Sequence, residues 1–93
     1  MANRLSYITI PADFIPVTQD GAGVPNATTT VHTTRSPCRG LSVTTAGYVK
    51  VKMQNTNVRT IWVVAGLNPG LFLEVQDSTA VATPKATFVQ AIY

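Results

Sequence analysis

Tyr48-Val49-Lys50-Val51-Lys52-Met53 alternates apolar and polar side chains residue by residue, apart from Tyr48 at its head. Successive side chains of a strand point to opposite faces, so Val49, Val51 and Met53 share one face and Tyr48, Lys50 and Lys52 the other. One apolar and one charged face is the pattern of a half-buried antiparallel strand. Upstream lies Arg39-Gly40-Leu41-Ser42-Val43-Thr44, joined to it by Thr45-Ala46-Gly47. That triplet and Gln54-Asn55-Thr56-Asn57 on the far side both read as hairpin connections of ordinary length.

The same reading continues downstream. Thr60-Ile61-Trp62-Val63-Val64 is a strand, followed by a turn through Ala65-Gly66-Leu67-Asn68-Pro69-Gly70 and by Leu71-Phe72-Leu73-Glu74-Val75-Gln76. Parity places Leu71, Leu73 and Val75 on one face of that last strand and Phe72, Glu74 and Gln76 on the other. Trp62 opposes Ile61 and Val63 in parity. Either both faces of its strand are covered, the favoured reading, or Trp62 is exposed for contact. Ser78 to Lys85 is a loop with room for one more short strand, and Ala86-Thr87-Phe88-Val89-Gln90-Ala91-Ile92-Tyr93 closes the chain as a strand. No helical periodicity and no internal repeat interrupts this. Six to seven short strands with turns about every ten residues predict an all-β fold, a small antiparallel β-sandwich or barrel over residues 39–93.

Residues 1–20 hold two short apolar pieces, Leu5 to Ile10 and Phe14 to Thr18. Pro11 and Pro16 have no N–H to give a ladder, so these pieces are edge strands or an extended N-terminal arm. Tyr7, Ile8, Phe14 and Ile15 either cap the sheet of their own chain or reach onto a neighbouring subunit. Residues 21–38 are a Gly/Thr-rich loop and an extended segment. Asp20-Gly21-Ala22-Gly23-Val24-Pro25-Asn26 is turn chemistry, with no Lys-Ser/Thr after it to make a phosphate loop. The segment from Ala27 to Cys38 lacks a consistent apolar face and leaves its register weakly specified.

Composition limits the function. A chain of 93 residues is one small domain, one that hides roughly two-thirds of its unfolded surface and has a thin stability margin. Cys38 is the single cysteine, so no disulfide forms within the chain, and one Cys with one His falls short of a structural zinc site. Stabilisation by oligomerisation or docking is the remaining route. Charged residues make up 12% and the net charge is +3, with no basic run longer than Lys50-x-Lys52; nucleic-acid binding needs a continuous basic patch. No segment has the roughly twenty apolar residues that span a bilayer. The first residues are too polar for an export leader, which predicts synthesis in a cytoplasm and makes Asn26-Ala27-Thr28 a chance glycosylation match.

Reactive constellations are sparse. His32 and Cys38 are the residue types of a thiolate–imidazole pair, yet six residues of extended chain separate them by roughly 20 Å unless a turn intervenes. Asp13, Asp20, Glu74 and Asp77 form no evident carboxylate pair, since parity puts Glu74 and Asp77 on opposite faces. A calcium site from Asp20 or Asp77 would need loop carbonyls as further ligands. The expectation is a non-enzymatic protein without cofactor or metal, acting by contact through aromatic and aliphatic side chains and unpaired strand edges.

Arg39-Gly40-Leu41-x-Val43, Thr45-Ala46-Gly47-x-Val49-x-Val51, Val64-Ala65-Gly66, Leu71-x-Leu73-x-Val75 and Ala91-Ile92-Tyr93 follow one another in an order that resembles the small head-spike base proteins of tailed bacteriophages and gene transfer agents. The resemblance spans about residues 36–93 and consists of spacings rather than a reactive signature. Tyr48 stands where that family often has Asp, and Asn68-Pro69-Gly70 and the apolar Thr60 to Val64 strand also depart from it. The resemblance implies a virion structural protein on the capsid exterior, a homo-oligomer that holds a spike or fibre protein against the major capsid protein. The departures admit a sibling role as a head decoration or cement protein. On this reading Tyr7, Phe14 and Ile15 grip an adjacent subunit, with Trp62, Phe72 and Tyr93 as further contacts. The competing class is a small carbohydrate- or receptor-binding module that stacks its ligand on Tyr48 or Trp62.

Overall fold

The computed structural model describes residues 13–35, 37–53 and 57–93. The sequence readings on Leu5 to Ile10, including Tyr7 and Ile8, on Pro11 and on the 54–56 turn lie outside them. Among the described residues eight strands follow in chain order: β1 (Phe14–Pro16), β2 (Thr29–Thr30), β3 (Gly40–Val43), β4 (Gly47–Met53), β5 (Val58–Val63), β6 (Gly66–Pro69), β7 (Phe72–Val75) and β8 (Gln90–Ile92). They form two four-stranded antiparallel sheets ordered β1-β8-β3-β6 and β2-β7-β4-β5. The expected all-β sandwich is present, and the described residues supply eight strands where six to seven were expected.

The core lies between the sheets. Leu41, Val43 and Ala91 come from the first sheet, and Val49, Val51, Val63, Phe72 and Val75 from the second; Val31 and Val89 close the space from the connections. The alternation in β4 holds, since Val49 and Val51 are fully buried, Met53 packs on the core and Lys50 is exposed. β4 pairs with β5 along its length, from Gly47↔Val63 to Lys52↔Val58.

Three local readings need correction. Thr45-Ala46-Gly47 does not close a hairpin: β3 pairs with β6 and β8, and the chain crosses to the other sheet at this point. The backbone there is held by residues 84–87, with Thr44 N–H donating to Thr87 O, Tyr48 N–H to Pro84 O and Ala86 N–H to Tyr48 O. Gly47 permits the crossing, because a Cβ at that position would lie 2.5 Å from the Lys85 carbonyl carbon. Ala65 to Gly70 is not all turn, since Gly66–Pro69 is an edge strand on β3. Ala86 to Tyr93 is not one strand either. Phe88 takes a φ of 53° and kinks it, leaving Gln90–Ile92 as β8.

The parity reading of β7 fails at one residue. Val75 opposes Val51 and Glu74 opposes Lys52, but Met53 opposes Phe72, so the register slips past Leu73. Such an extra residue turns the side chains beyond it over. Phe72 therefore joins Val75 inside the sandwich at 3% exposure. The carbonyl of Leu73 is used elsewhere, accepting from Val31 N–H at 2.9 Å and His32 N–H at 3.3 Å.

Candidate interaction surface

His32 and Cys38 come closer than an extended chain allows, because a turn does intervene. Cys38 N–H donates to His32 Nδ1 at 3.1 Å, and the buried Cys38 thiol donates to Gly40 O at 3.2 Å. An Nδ1 already accepting a backbone N–H is not free to take the thiol proton, so the pair serves as a clasp on the connection into β3. The carboxylates also serve the backbone. Asp20 accepts from Ala22 and Val24 N–H groups in the turn it opens, and Asp77 accepts from the N–H and hydroxyl of Thr79. Glu74 accepts from the Gln76 amide. Among the described residues no three His, Cys, Asp or Glu side chains gather as a metal site would require.

Exposed apolar side chains are the more telling feature. Trp62 is 50% exposed and Leu67 63%, with Val58 and Val64 similarly open. Trp62 thus overturns the favoured core reading. It lies on the outer face of β5 directly opposite Tyr48, whose ring meets it edge-on with centroids 5.1 Å apart. Lys50 and Lys52 continue this face along β4, with Val58 and Thr60 opposite them on β5.

The backbone of β5 has a polarity that can be read from its neighbours. Tyr48 and Lys50 direct their N–H and C=O groups away from β5, toward residues 84–86 and 76–78. In an antiparallel pair these directions alternate, so Val49 and Val51 bond Ile61 and Arg59. Val58, Thr60 and Trp62 then aim their backbone groups outward from the edge of the sheet. The next residue in that series is closed off: Val64 N–H donates to Asn68 Oδ1, and Asn68 Nδ2 donates to Val64 O, both at 2.9 Å. A third bond from Asn68 to Gly66 O, with Gly66 at a φ of 101°, fixes the crossing from β5 to β6.

The other proposed contact residues divide. Phe14 and Ile15 are exposed, but their strand pairs with β8 of the same chain, so the first of the two readings describes their backbone. Phe72 is a core residue and offers no surface. Tyr93 packs on the core, exchanges backbone hydrogen bonds with Asp13, and has its phenol pushed up mainly by burial, with Cys38 adding to it. The outward direction of alternate β5 amides follows from the pairing of β4 on its other side, which a single sequence does not disclose. Compared with family models, curated proteins and solved structures, the chain finds no match in any of the three.

Proposed function

We propose that this chain is a non-enzymatic structural subunit of a phage capsid exterior, an oligomeric base that seats a head spike or fibre on the major capsid protein. The observation that carries this reading is the margin made by β5, with outward backbone groups at Val58, Thr60 and Trp62 and exposed apolar side chains beside them. An edge of that kind is a template for another chain. The small size of the domain adds to it, because binding to the folded state alone raises stability by mass action. The resemblance of residues 36–93 to spike base proteins supplies the choice of assembly. A decoration role between capsomers uses the same margin and is the nearest variant.

The exposed Trp62, propped by Tyr48, favours one reading of another class, a carbohydrate-binding module. Aromatic faces of this kind bury apolar ligand surface while polar neighbours hold its hydroxyls. Mixing the purified protein with expanded, undecorated heads and sedimenting them separates the two. Saturable co-sedimentation without a glycan-dependent change in Trp62 fluorescence supports the capsid role. No co-sedimentation, with a saturable glycan response, replaces it.

A further inference from the structure

The four sheet edges are not equivalent. β1 is three residues long and contains Pro16, β2 is two residues long, and β6 ends on Pro69. Short strands and prolines are the devices that blunt an edge against pairing. β5 has neither: Val58-Arg59-Thr60-Ile61-Trp62-Val63 is six residues without proline, glycine or an acidic side chain. Among the described residues no strand pairs with its outer side.

We infer that β5 pairs antiparallel with β5 of a second copy of this chain, about a two-fold axis through Thr60. The register follows from which backbone groups are open. A two-fold pair that uses Val58, Thr60 and Trp62 of both copies, and no group already taken, sets Thr60 against Thr60 and Val58 against Trp62 twice. All three are pairs of the type that exchange two hydrogen bonds, so six bonds form. Sliding the strands to set Thr60 against Trp62 keeps only four of the six bonds, because the outer pairs would fall on Val64, whose N–H and C=O are held by Asn68. Asn68 thus limits the usable edge to the three residues of the symmetric register.

Side chains agree with the backbone. Val58 and Trp62 are both about half exposed and lie on the same outer face, so each covers the other across the axis. The one charge on the strand, Arg59, faces Ile61 of the second copy rather than its own counterpart, and no like charges are brought into direct opposition. The result is one eight-stranded sheet ordered β2-β7-β4-β5 and back, closed by its own symmetry rather than left to polymerise. A six-residue seam is smaller than a standard stable interface, so the isolated dimer is weak and fills at high-micromolar concentration.

This inference deepens the assembly reading, by naming one partner of that margin, and its test needs no capsid. Thr60→Cys places two thiols on Cα atoms about 5.5 Å apart, within disulfide range; Cys38 is buried and does not compete. Mild oxidation is expected to give a covalent dimer from Thr60→Cys. Val58→Cys alone, with sites roughly 14 Å apart, is expected to give none, but to cross-link when mixed with Trp62→Cys. Thr60→Pro removes an outward N–H without touching the β4 ladder and is expected to weaken dimerisation by about tenfold or more in light scattering, with unfolding temperature little changed.

A monomer at every concentration overturns the inference. So does a dimer that survives Thr60→Pro and cross-links as readily through Val58→Cys alone. Loss of head co-sedimentation with the dimer intact sinks the capsid reading and leaves the seam standing. Loss of the seam with co-sedimentation intact does the reverse.

Discussion

The side-chain amide of Asn68 grips the backbone of Val64 on both sides, accepting its N–H and donating to its carbonyl at 2.9 Å each. A side chain here takes the place that a further strand would take. Replacing it frees three backbone groups, the Val64 N–H, the Val64 carbonyl and the Gly66 carbonyl, and loosens the crossing from β5 to β6.

Asn68→Ala is expected to lower stability by about 1–2 kcal/mol, the scale of a few partly exposed hydrogen bonds, as read by denaturant unfolding. It also opens Val64 as a fourth outward position on β5. The seam then gains a second register, and the Thr60→Cys cross-link is expected to fall while a mixture of Thr60→Cys and Trp62→Cys begins to cross-link. An unchanged cross-linking pattern would show that Asn68 does not set the register.

Trp62 and Phe72 exchange the roles that their strands suggested, and truncation measures this. Phe72→Ala empties a core site and is expected to cost about 3–5 kcal/mol. Trp62→Ala removes an exposed ring and its edge contact with Tyr48, for about 1 kcal/mol or less in the monomer. Equal losses in thermal unfolding would mean that Trp62 is a structural residue and the margin is not free.

Much of the sandwich was legible because β4 announces itself. Val49, Val51 and Met53 need one dry face, and everything adjacent must supply it. What stayed hidden was pairing across long separations. Thr45-Ala46-Gly47 looks like a hairpin loop from its composition, yet residues 84–87 arrive from forty positions away and bond the backbone that a hairpin would have used. The slip at Leu73 is equally non-local, since it lies in the pairing of β7 with β4, while Val31 and His32 donate to the Leu73 carbonyl. The reading of Phe72 failed with it, because one extra residue inverts parity. Trp62 was misjudged for another reason: with both faces of a strand apolar, parity cannot say which one the second sheet covers.

Ser78 is fully buried, and its hydroxyl extends the β4–β7 ladder past the end of β7. It accepts from Lys50 N–H at 3.0 Å and donates to Gln76 O at 3.1 Å, while its own N–H donates to Pro25 O. Ser78→Ala leaves the part-buried Lys50 amide without its partner and is expected to cost about 1–2 kcal/mol. For a domain of this length each kcal/mol moves the unfolding midpoint by about 4–8 °C. A midpoint unmoved by this substitution would show that water reaches Lys50 N–H.

Among the described residues Asp77 and Tyr93 have their titration displaced, in opposite directions. The Asp77 carboxyl is held below its ordinary value, first by the Thr79 N–H and then by the Thr79 hydroxyl. A depressed acid favours folding above its unfolded value and loses that contribution as pH falls through the folded one, so the effect lies below about pH 4. Tyr93 is displaced the other way, raised chiefly by burial. A raised acid contributes fully below its unfolded value and loses the contribution as pH climbs through the folded one, which places this effect above about pH 10. Midpoints measured across both limbs are expected to fall less steeply on the acid side in Asp77→Asn, whose side-chain oxygen still accepts from Thr79 but no longer titrates. On the alkaline side Tyr93→Phe is expected to flatten the decline. A parent protein and Asp77→Asn that fall together in acid would show that the Asp77 carboxylate does not carry the acid limb.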